Sequence, residues 1–197
     1  MPRAPRSALG FRVRTGRTIA VLLAGPPDGP RVVWRGTLDL FDPEVPATIM
    51  PWHAALELPR AAGQAVVRRA AAALRAMSAR RVREVLERAA DEGLAPRRAA
   101  LVTGSLVDPA SIANDHMRAH AEEGRLSREA LREAATKAGL RPIVILEREA
   151  WARAAEALGR DPAALRRAID ALGKAVGSPW RGHEKLAALA AWVALTA

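Results

Sequence analysis

The order of secondary-structure signals along the chain is the feature that most limits its fold. Three short apolar runs come first, at residues 8–15, 18–24 and 31–40, and turns containing Gly or Pro separate them. A long helical pattern follows, and strand-like and helical segments then alternate up to the C-terminus. Short turns force neighbouring strands to be antiparallel, whereas strands joined through helices become parallel. The sequence therefore predicts an α/β protein with a mixed sheet that begins with a three-stranded meander.

Residues 59–90 are predicted to form the long helix, because apolar side chains recur there at steps of three and four. The connector before it, residues 41–57, is rich in proline, and Phe41 and Trp52 should pin it to the core. The remaining elements are expected in this order: a strand at 99–102, a helix from 114 that stops at Gly124, a helix that Ser127 caps and Gly139 ends, a strand at 141–146, a helix near Trp151, a helix from Pro162 to Gly173, and a last helix over 181–195.

The length of 197 residues suits one domain with a proper core. We expect residues 1–7 to be a disordered basic tail and residues 8–197 to be a single domain. The sequence has no cysteine, which excludes disulfides and thiolate chemistry. Its longest apolar run, residues 186–195, is about half of what crosses a bilayer, so we expect a buried helix and no membrane partner. The cytoplasm is the default location.

The net charge of +10 is unevenly distributed. Residues 1–40 hold seven arginines against two acids, and residues 58–100 hold ten arginines against four acids. A GC-rich coding bias explains the choice of arginine over lysine, but it does not explain the excess over acids. A basic surface favours phosphate-rich partners through counterion release. We therefore expect DNA or RNA as a partner, and a protein partner or a homodimer is the alternative.

Four segments carry a resemblance to a known family. They are Leu9-Gly10-Phe11, the hairpin at 16–21, the run Val33-Trp34-Arg35-Gly36-Thr37-Leu38 and the closing helix at 185–192. With the order of elements, they resemble the ribonuclease H-like superfamily, above all its Holliday-junction resolvases. The chain is also similar to one half of an actin-like ATPase. The resemblance implies a ribonuclease H-like mixed five-stranded sheet, built as β-β-β-α-β-α-β-α with extra C-terminal helices and with the strand order 3-2-1-4-5.

The resemblance also implies where catalytic acids should stand. Active members hold metal ions with carboxylates at the end of the first strand, the end of the fourth strand and the last helix. Those positions fall at Arg12 or Arg14, near Thr103 or Ser105, and near Glu184, which is the one acid among them. Two-metal cleavage needs several carboxylates, so we predict a catalytically degenerate domain that binds nucleic acid or a partner. It is more a binding protein than an enzyme.

Two alternative functions remain open. One is a metal-dependent nuclease or phosphate-ester hydrolase with an atypical site, and the other is a structural or assembly subunit. No cofactor is predicted, and Mg²⁺ or Mn²⁺ belongs only to the first alternative. The actin-like reading would place nucleotide phosphates on the hairpin at 15–18, but that class needs two halves, and a plain turn explains the hairpin.

The densest polar cluster of the chain contains His116, His120 and Glu123. The two histidines are four residues apart on one helix face, and the glutamate follows on the next turn. Two imidazoles and a carboxylate at this spacing are candidate zinc ligands, and a solvated helix turn is the alternative. His116, His120 and Glu184 are also the candidates for any catalytic role. The lone His53 is expected to be structural.

Five residues are candidates for nucleic-acid binding. Arg12, Arg14 and Arg17 come from the first hairpin, and Trp180 and Arg181 precede the last helix. The indole can stack on a base while the guanidinium contacts phosphate, and a loop pinned by Trp180 is the alternative.

Polar candidates should converge at the carboxyl edge of the sheet, because strand ends and helix N-termini leave backbone groups there for a ligand. The residues expected close together at that edge are Ser105, His116, His120, Thr15, Arg17 and Glu184.

Overall fold

The computed structural model describes residues 5–197, and its centre is a five-stranded mixed sheet. In chain order the strands are β1 (Ser7–Arg14), β2 (Arg17–Ala24), β3 (Arg31–Asp39), β4 (Arg98–Thr103) and β5 (Arg141–Leu146). Their order across the sheet is β3-β2-β1-β4-β5. The first three strands are antiparallel neighbours, and β4 pairs in parallel with both β1 and β5. The predicted mixed sheet and its strand order are confirmed.

Helices cover both faces of this sheet. In chain order they are α1 (Pro51–Leu56), α2 (Arg60–Asp91), α3 (Asp115–Lys137), α4 (Ala150–Leu158), α5 (Pro162–Val176) and α6 (Gly182–Thr196). One buried apolar cluster joins α2 and α3 to one face, and a second joins α4, α5 and α6 to the other. None of the helices in residues 5–197 has the length and apolar character needed to cross a lipid bilayer.

Strand β1 is buried on both faces, as its central position requires. Leu9, Phe11 and Val13 belong to the cluster with α2 and α3. On the opposite face, a Cβ atom added to Gly10 would lie 1.9 Å from the carbonyl oxygen of Ala187 in α6. The backbone of α6 therefore lies directly on β1, which only glycine permits at this position. The many alanines of α6 allow this close approach, since small side chains let the helix axis come near the sheet.

The start of β1 lies inside the segment that was expected to be a tail. Residues 1–4 lie outside the described residues, so the expectation of disorder there stays a prediction. Ser7 already belongs to β1, and the backbone N–H of Gly25 donates to the carbonyl of Arg6 at 2.9 Å. The ordered backbone therefore begins earlier than the sequence pattern indicated.

Helix α3 runs through the point where two helices were expected. Asn114 caps it as predicted, and its Oδ1 accepts a hydrogen bond from the N–H of Met117 at 2.9 Å. Gly124 lies inside the helix, where glycine costs about 1 kcal/mol relative to alanine. Ser127 is not a helix cap. It is buried, and its Oγ accepts a hydrogen bond from the N–H of Gly16 at 3.3 Å.

The connector between β3 and α2 contains helix α1, which the proline-rich sequence did not predict. Proline at the first helical position is compatible with a helix because its missing N–H would be unpaired there in any case. Pro51 holds that position. Trp52 packs against the core cluster of α2 and α3, as expected. Helix α1 also brings its next residue, His53, beside α3.

Candidate functional site at the carboxyl edge of the sheet

The carboxyl ends of β1 and β4 form one side of a cavity of about 290 Å³, and α3 forms the other. We call it the edge cavity. Its lining residues are Arg12, Val13, Arg14, Thr15, Thr103, Gly104, Ser105, Val107, His120, Ala121, Gly124, Arg125 and Arg128. Four of these residues are arginines and none is an acid. A phosphate group would therefore meet guanidinium, hydroxyl and backbone groups there.

Arg12 lines the edge cavity and is only 8% exposed. Its guanidinium forms an ion pair with the carboxylate of Glu147, which follows β5, and donates to the carbonyl of Val13. Burial lowers the pKa of Arg12 below its ordinary value, and the charge of Glu147 acts in the opposite direction. Arg12 is thus part of an internal ion pair, which leaves it poorly placed to contact nucleic acid.

Arg14, at the end of β1, is exposed, and its guanidinium contacts Nε2 of His183 at 3.3 Å. Within residues 5–197 it has no carboxylate within 4.0 Å. The contact with His183 brings the first turn of α6 to the carboxyl edge. Glu184 belongs to that turn, and its Oε2 accepts a hydrogen bond from the N–H of Arg181 at 2.9 Å. Glu184 therefore caps the helix.

Other arginines at this edge form ion pairs with acids that do not line the edge cavity. Nε and Nη2 of Arg125 both donate to Oε2 of Glu122, at 2.9 and 2.6 Å, and this hydrogen bonding raises the pKa of Arg125. Arg17 lines a neighbouring cavity of about 330 Å³ and donates to Oδ1 of Asp39 at 2.8 Å.

The side chain of Arg128 is mostly buried and donates to the carbonyl of Ser105 at 3.0 Å. Burial lowers its pKa, and Glu129 lies 3.8 Å away. The local positive charge is consequently smaller than the number of arginines suggests.

Trp180 packs against helix α5, which agrees with the alternative interpretation of a loop pinned by this residue. Its Nε1–H donates to the carbonyl of Ile169 in α5 at 3.0 Å. The ring covers Gly173, where an added Cβ atom would lie 2.1 Å from Cδ1 of the indole. Helix α5 was expected to end at Gly173, but it continues to Val176. The indole of Trp180 packs against the helix at this glycine. Arg181 remains exposed beside it.

His116 and His120, the two candidate metal ligands, lie beside His53, which was expected to be structural. The ring centroids of His116 and His120 are 4.7 Å apart, and His53 of α1 lies 4.7 and 4.2 Å from them. Glu123 is buried and bonds to His53. No spacing rule could have joined His53 to α3, because the contact depends on where the connector folds back.

The expected convergence occurs for most of the named residues. Thr15, Ser105 and His120 line the edge cavity, and Arg17 lines the cavity next to it, which shares Arg14 and Thr15. His116 is one helical turn from His120 in the histidine group. Glu184 is three residues after Arg181, in the first turn of α6, and it is connected to the edge through its neighbour His183, which contacts Arg14.

The topology and the position of this edge define the protein as one with a ribonuclease H-like fold. Two solved structures have a similar architecture. One is "T. thermophilus RuvC in complex with Holliday junction substrate", with a TM-score of 0.55, 14% identity, and coverage of 95% of this chain and 90% of that chain. The other is "Thermus thermophilus RuvC structure", with a TM-score of 0.54, 14% identity, and coverage of 95% and 92%. No protein-family profile and no curated protein sequence matches the chain.

Proposed function

We propose that this protein is a ribonuclease H-like domain that binds the phosphate backbone of nucleic acid at its edge cavity and does not cleave it by the two-metal mechanism. The observation that carries the proposal is the lining of that cavity, which contains four arginines and no acid. Among them, Arg14 is exposed and has no carboxylate within 4.0 Å in residues 5–197. One of the structurally similar RuvC proteins was solved with a Holliday junction substrate, which agrees with nucleic acid as the ligand class.

The residues of the edge do not fit a pair of Mg²⁺ ions. Such ions need several carboxylate oxygens to hold them and to balance their charge. Glu147, an acid beside the cavity, is ion-paired with Arg12, and Glu184 caps α6. A fixed guanidinium at the end of β1 would also repel a divalent cation. These contacts support a binding role rather than a metal-dependent nuclease.

The same contacts predict the character of the binding. Arg14 has an exposed guanidinium, and the hydroxyl of Thr15 lies beside it in the lining. The pairs Arg125–Glu122 and Arg17–Asp39 must loosen before those arginines can contact phosphate. We therefore expect weak binding that depends little on base sequence and falls steeply with salt.

The test is fluorescence anisotropy with duplex DNA, four-way junction DNA and single-stranded RNA over a range of salt. Arg14→Ala combined with Arg125→Ala should weaken binding and reduce the salt slope by about one unit for each arginine. Arg97→Ala combined with Arg141→Ala is the matched control. These arginines are exposed at the opposite, amino-terminal ends of β4 and β5, and the charge change is the same.

Equal losses in the two double variants would contradict the edge cavity as the binding site and would indicate charge attraction by the whole surface. Absence of binding even at low salt would overturn the proposal in favour of a structural or assembly subunit. A hydrolase with an atypical metal site is the second candidate function. The observation that favours it is His120, which belongs to the histidine group and also lines the edge cavity.

A further inference from the structure

Three histidines from two helices form a compact group beside the edge cavity. His53 comes from α1, and His116 and His120 come from the first two turns of α3. One ring nitrogen of each lies within 4.8 Å of the corresponding atoms of the other two. The group therefore gathers three imidazole rings from parts of the chain that only the fold brings together.

A single buried carboxylate fixes the orientation of His53. Oε1 of Glu123 accepts hydrogen bonds from the backbone N–H of His53 at 3.1 Å and from its Nδ1 at 2.8 Å. Because Nδ1 donates its proton to this carboxylate, the lone pair of the neutral ring is on Nε2. A carboxylate behind a histidine in this way is the usual arrangement around a metal-binding imidazole, where it sets the tautomer and raises the basicity of the ligand.

Two buried polar atoms of this group lack a hydrogen-bond partner among residues 5–197. They are Nε2 of His53 and Oε2 of Glu123. Leaving such atoms unpaired is costly, so a buried acceptor of this kind needs an explanation. Oε2 of Glu123 lies 4.0 Å from Nδ1 of His120, so a small rotation would let the same carboxylate orient a second imidazole. Nε2 of His53 is then the atom that still lacks a partner.

We infer that His53, His116 and His120 bind one Zn²⁺ ion, with Glu123 holding His53 from behind. Imidazole nitrogens suit zinc, and three protein ligands plus one open position form a recurrent zinc coordination. Tetrahedral bonds of about 2.0 Å require nitrogens about 3.3 Å apart. His116 and His120 are exposed and can rotate inward by the remaining distance. His120 also lines the edge cavity, so the proposed ion would lie beside that cavity.

This site differs in chemistry from the metal pair that the fold class suggests. Mg²⁺ prefers oxygen ligands in octahedral geometry and binds imidazole clusters poorly. Excess Mg²⁺ should therefore not displace the ion from the three histidines. Zinc binding also does not depend on the proposed nucleic-acid binding, because no residue of the histidine group is needed for the arginine contacts. The two proposals can fail separately.

The experiment uses the full chain without an affinity tag, after treatment with a chelator, and follows titration with Co²⁺ as a visible probe for the zinc site. We expect the strong visible absorption of four-coordinate Co²⁺, saturation at one ion per chain, and loss of the absorption when Zn²⁺ is added. His116→Ala and His120→Ala should each abolish this spectrum while the protein stays folded by circular dichroism. Glu123→Gln should weaken the affinity about 10- to 100-fold without changing the stoichiometry.

His183→Ala is the matched control, because His183 is the one histidine outside the group. It should bind Co²⁺ as the unmodified chain does. The inference is overturned if the unmodified chain gives no four-coordinate spectrum, or if the spectrum persists in the combined variant His116→Ala/His120→Ala. An equal loss in His183→Ala would likewise overturn it, since the ion would then not be held by this group.

Discussion

The guanidinium of Arg12 in β1 is ion-paired with the carboxylate of Glu147, which begins the segment after β5. Arg12 lies in β1 and Glu147 follows β5, and β4 separates these two strands in the sheet, so the pair spans the carboxyl edge. The side chain of Arg12 is 9% exposed and that of Glu147 is 40% exposed. Water can still solvate the carboxylate of Glu147, whereas the guanidinium of Arg12 is shielded from water. The charge of Arg12 therefore depends more strongly on the ion pair.

The first prediction follows from this dependence. Glu147→Gln should lower the free energy of unfolding by about 1–3 kcal/mol, since it leaves a buried charge without its partner. Urea denaturation measures the loss. Glu149→Gln is the control, because its exposed pair with Arg148 should contribute no more than about 0.5 kcal/mol. Replacing both partners, as Arg12→Met with Glu147→Gln, should recover most of the loss. If Glu147→Gln matches its control, the buried cation does not need the pair.

The second prediction concerns catalysis. We expect no turnover of four-way junction DNA or RNA–DNA hybrids with Mg²⁺ or Mn²⁺, because the end of β1 carries a cation where ion binding would need carboxylates. Gel-based cleavage assays over time, compared with a protein-free blank, provide the measurement. Any activity should be tested in Glu184→Ala, which removes an acid at the start of α6. Cleavage that disappears in this variant would contradict the prediction, whereas equal traces in both proteins indicate a contaminating nuclease.

The sheet could be predicted because its signals are local. Leu9, Phe11 and Val13 alternate with small or charged residues, and turns with Gly or Pro separate the first three strands. The ends of some helices could not be predicted, because glycine does not always end a helix. Gly124 resembles a helix end, but burial of apolar residues on both sides of it in α3 outweighs its low helix propensity. Gly173 similarly resembles a helix end, but it lies inside α5, and its lack of a side chain leaves room for the indole of Trp180.

The candidate site at the carboxyl edge was only partly predictable. The sequence indicates which side chains follow the strands, so Thr15, Ser105 and His120 could be expected at one place. It does not indicate which arginine meets which acid. The partner of Arg12 is 135 positions away, and ion pairs of that separation depend on the finished fold. The same reason explains His53, whose position beside α3 is set by helix α1 in a segment that looked irregular.

The third prediction separates packing from base stacking at Trp180. Trp180→Phe keeps an aromatic ring but removes the Nε1–H that donates to the carbonyl of Ile169. We expect a loss of about 1 kcal/mol in urea denaturation, because the hydrogen bond from the indole to the Ile169 carbonyl is lost. Affinity for nucleic acid, measured by anisotropy at low salt, should stay unchanged. Weaker nucleic-acid binding at unchanged stability would contradict this and would return Trp180 to the binding surface.

The last prediction compares two glycines that lie inside helices and should respond to alanine in opposite directions. At Gly173 in α5, an added Cβ atom would lie 2.1 Å from Cδ1 and 2.3 Å from Cγ of Trp180, so the methyl group and the indole cannot both keep their places. Gly173→Ala should therefore destabilise the protein by about 1–3 kcal/mol. Its effect should shrink when it is combined with Trp180→Ala, which removes the obstructing ring.

Gly124 in α3 is the matched control, since nothing within 4 Å would meet a Cβ atom there. Gly124→Ala gains helix propensity and should stabilise the protein by about 0.5–1 kcal/mol. Both variants are measured by urea denaturation under the same conditions. A neutral or stabilising Gly173→Ala would show that the indole does not cover α5 as described, and the packing role of Trp180 would then lose its support. Opposite signs for the two substitutions, with the loss at Gly173 relieved by Trp180→Ala, are the result expected when the indole packs directly on the helix backbone.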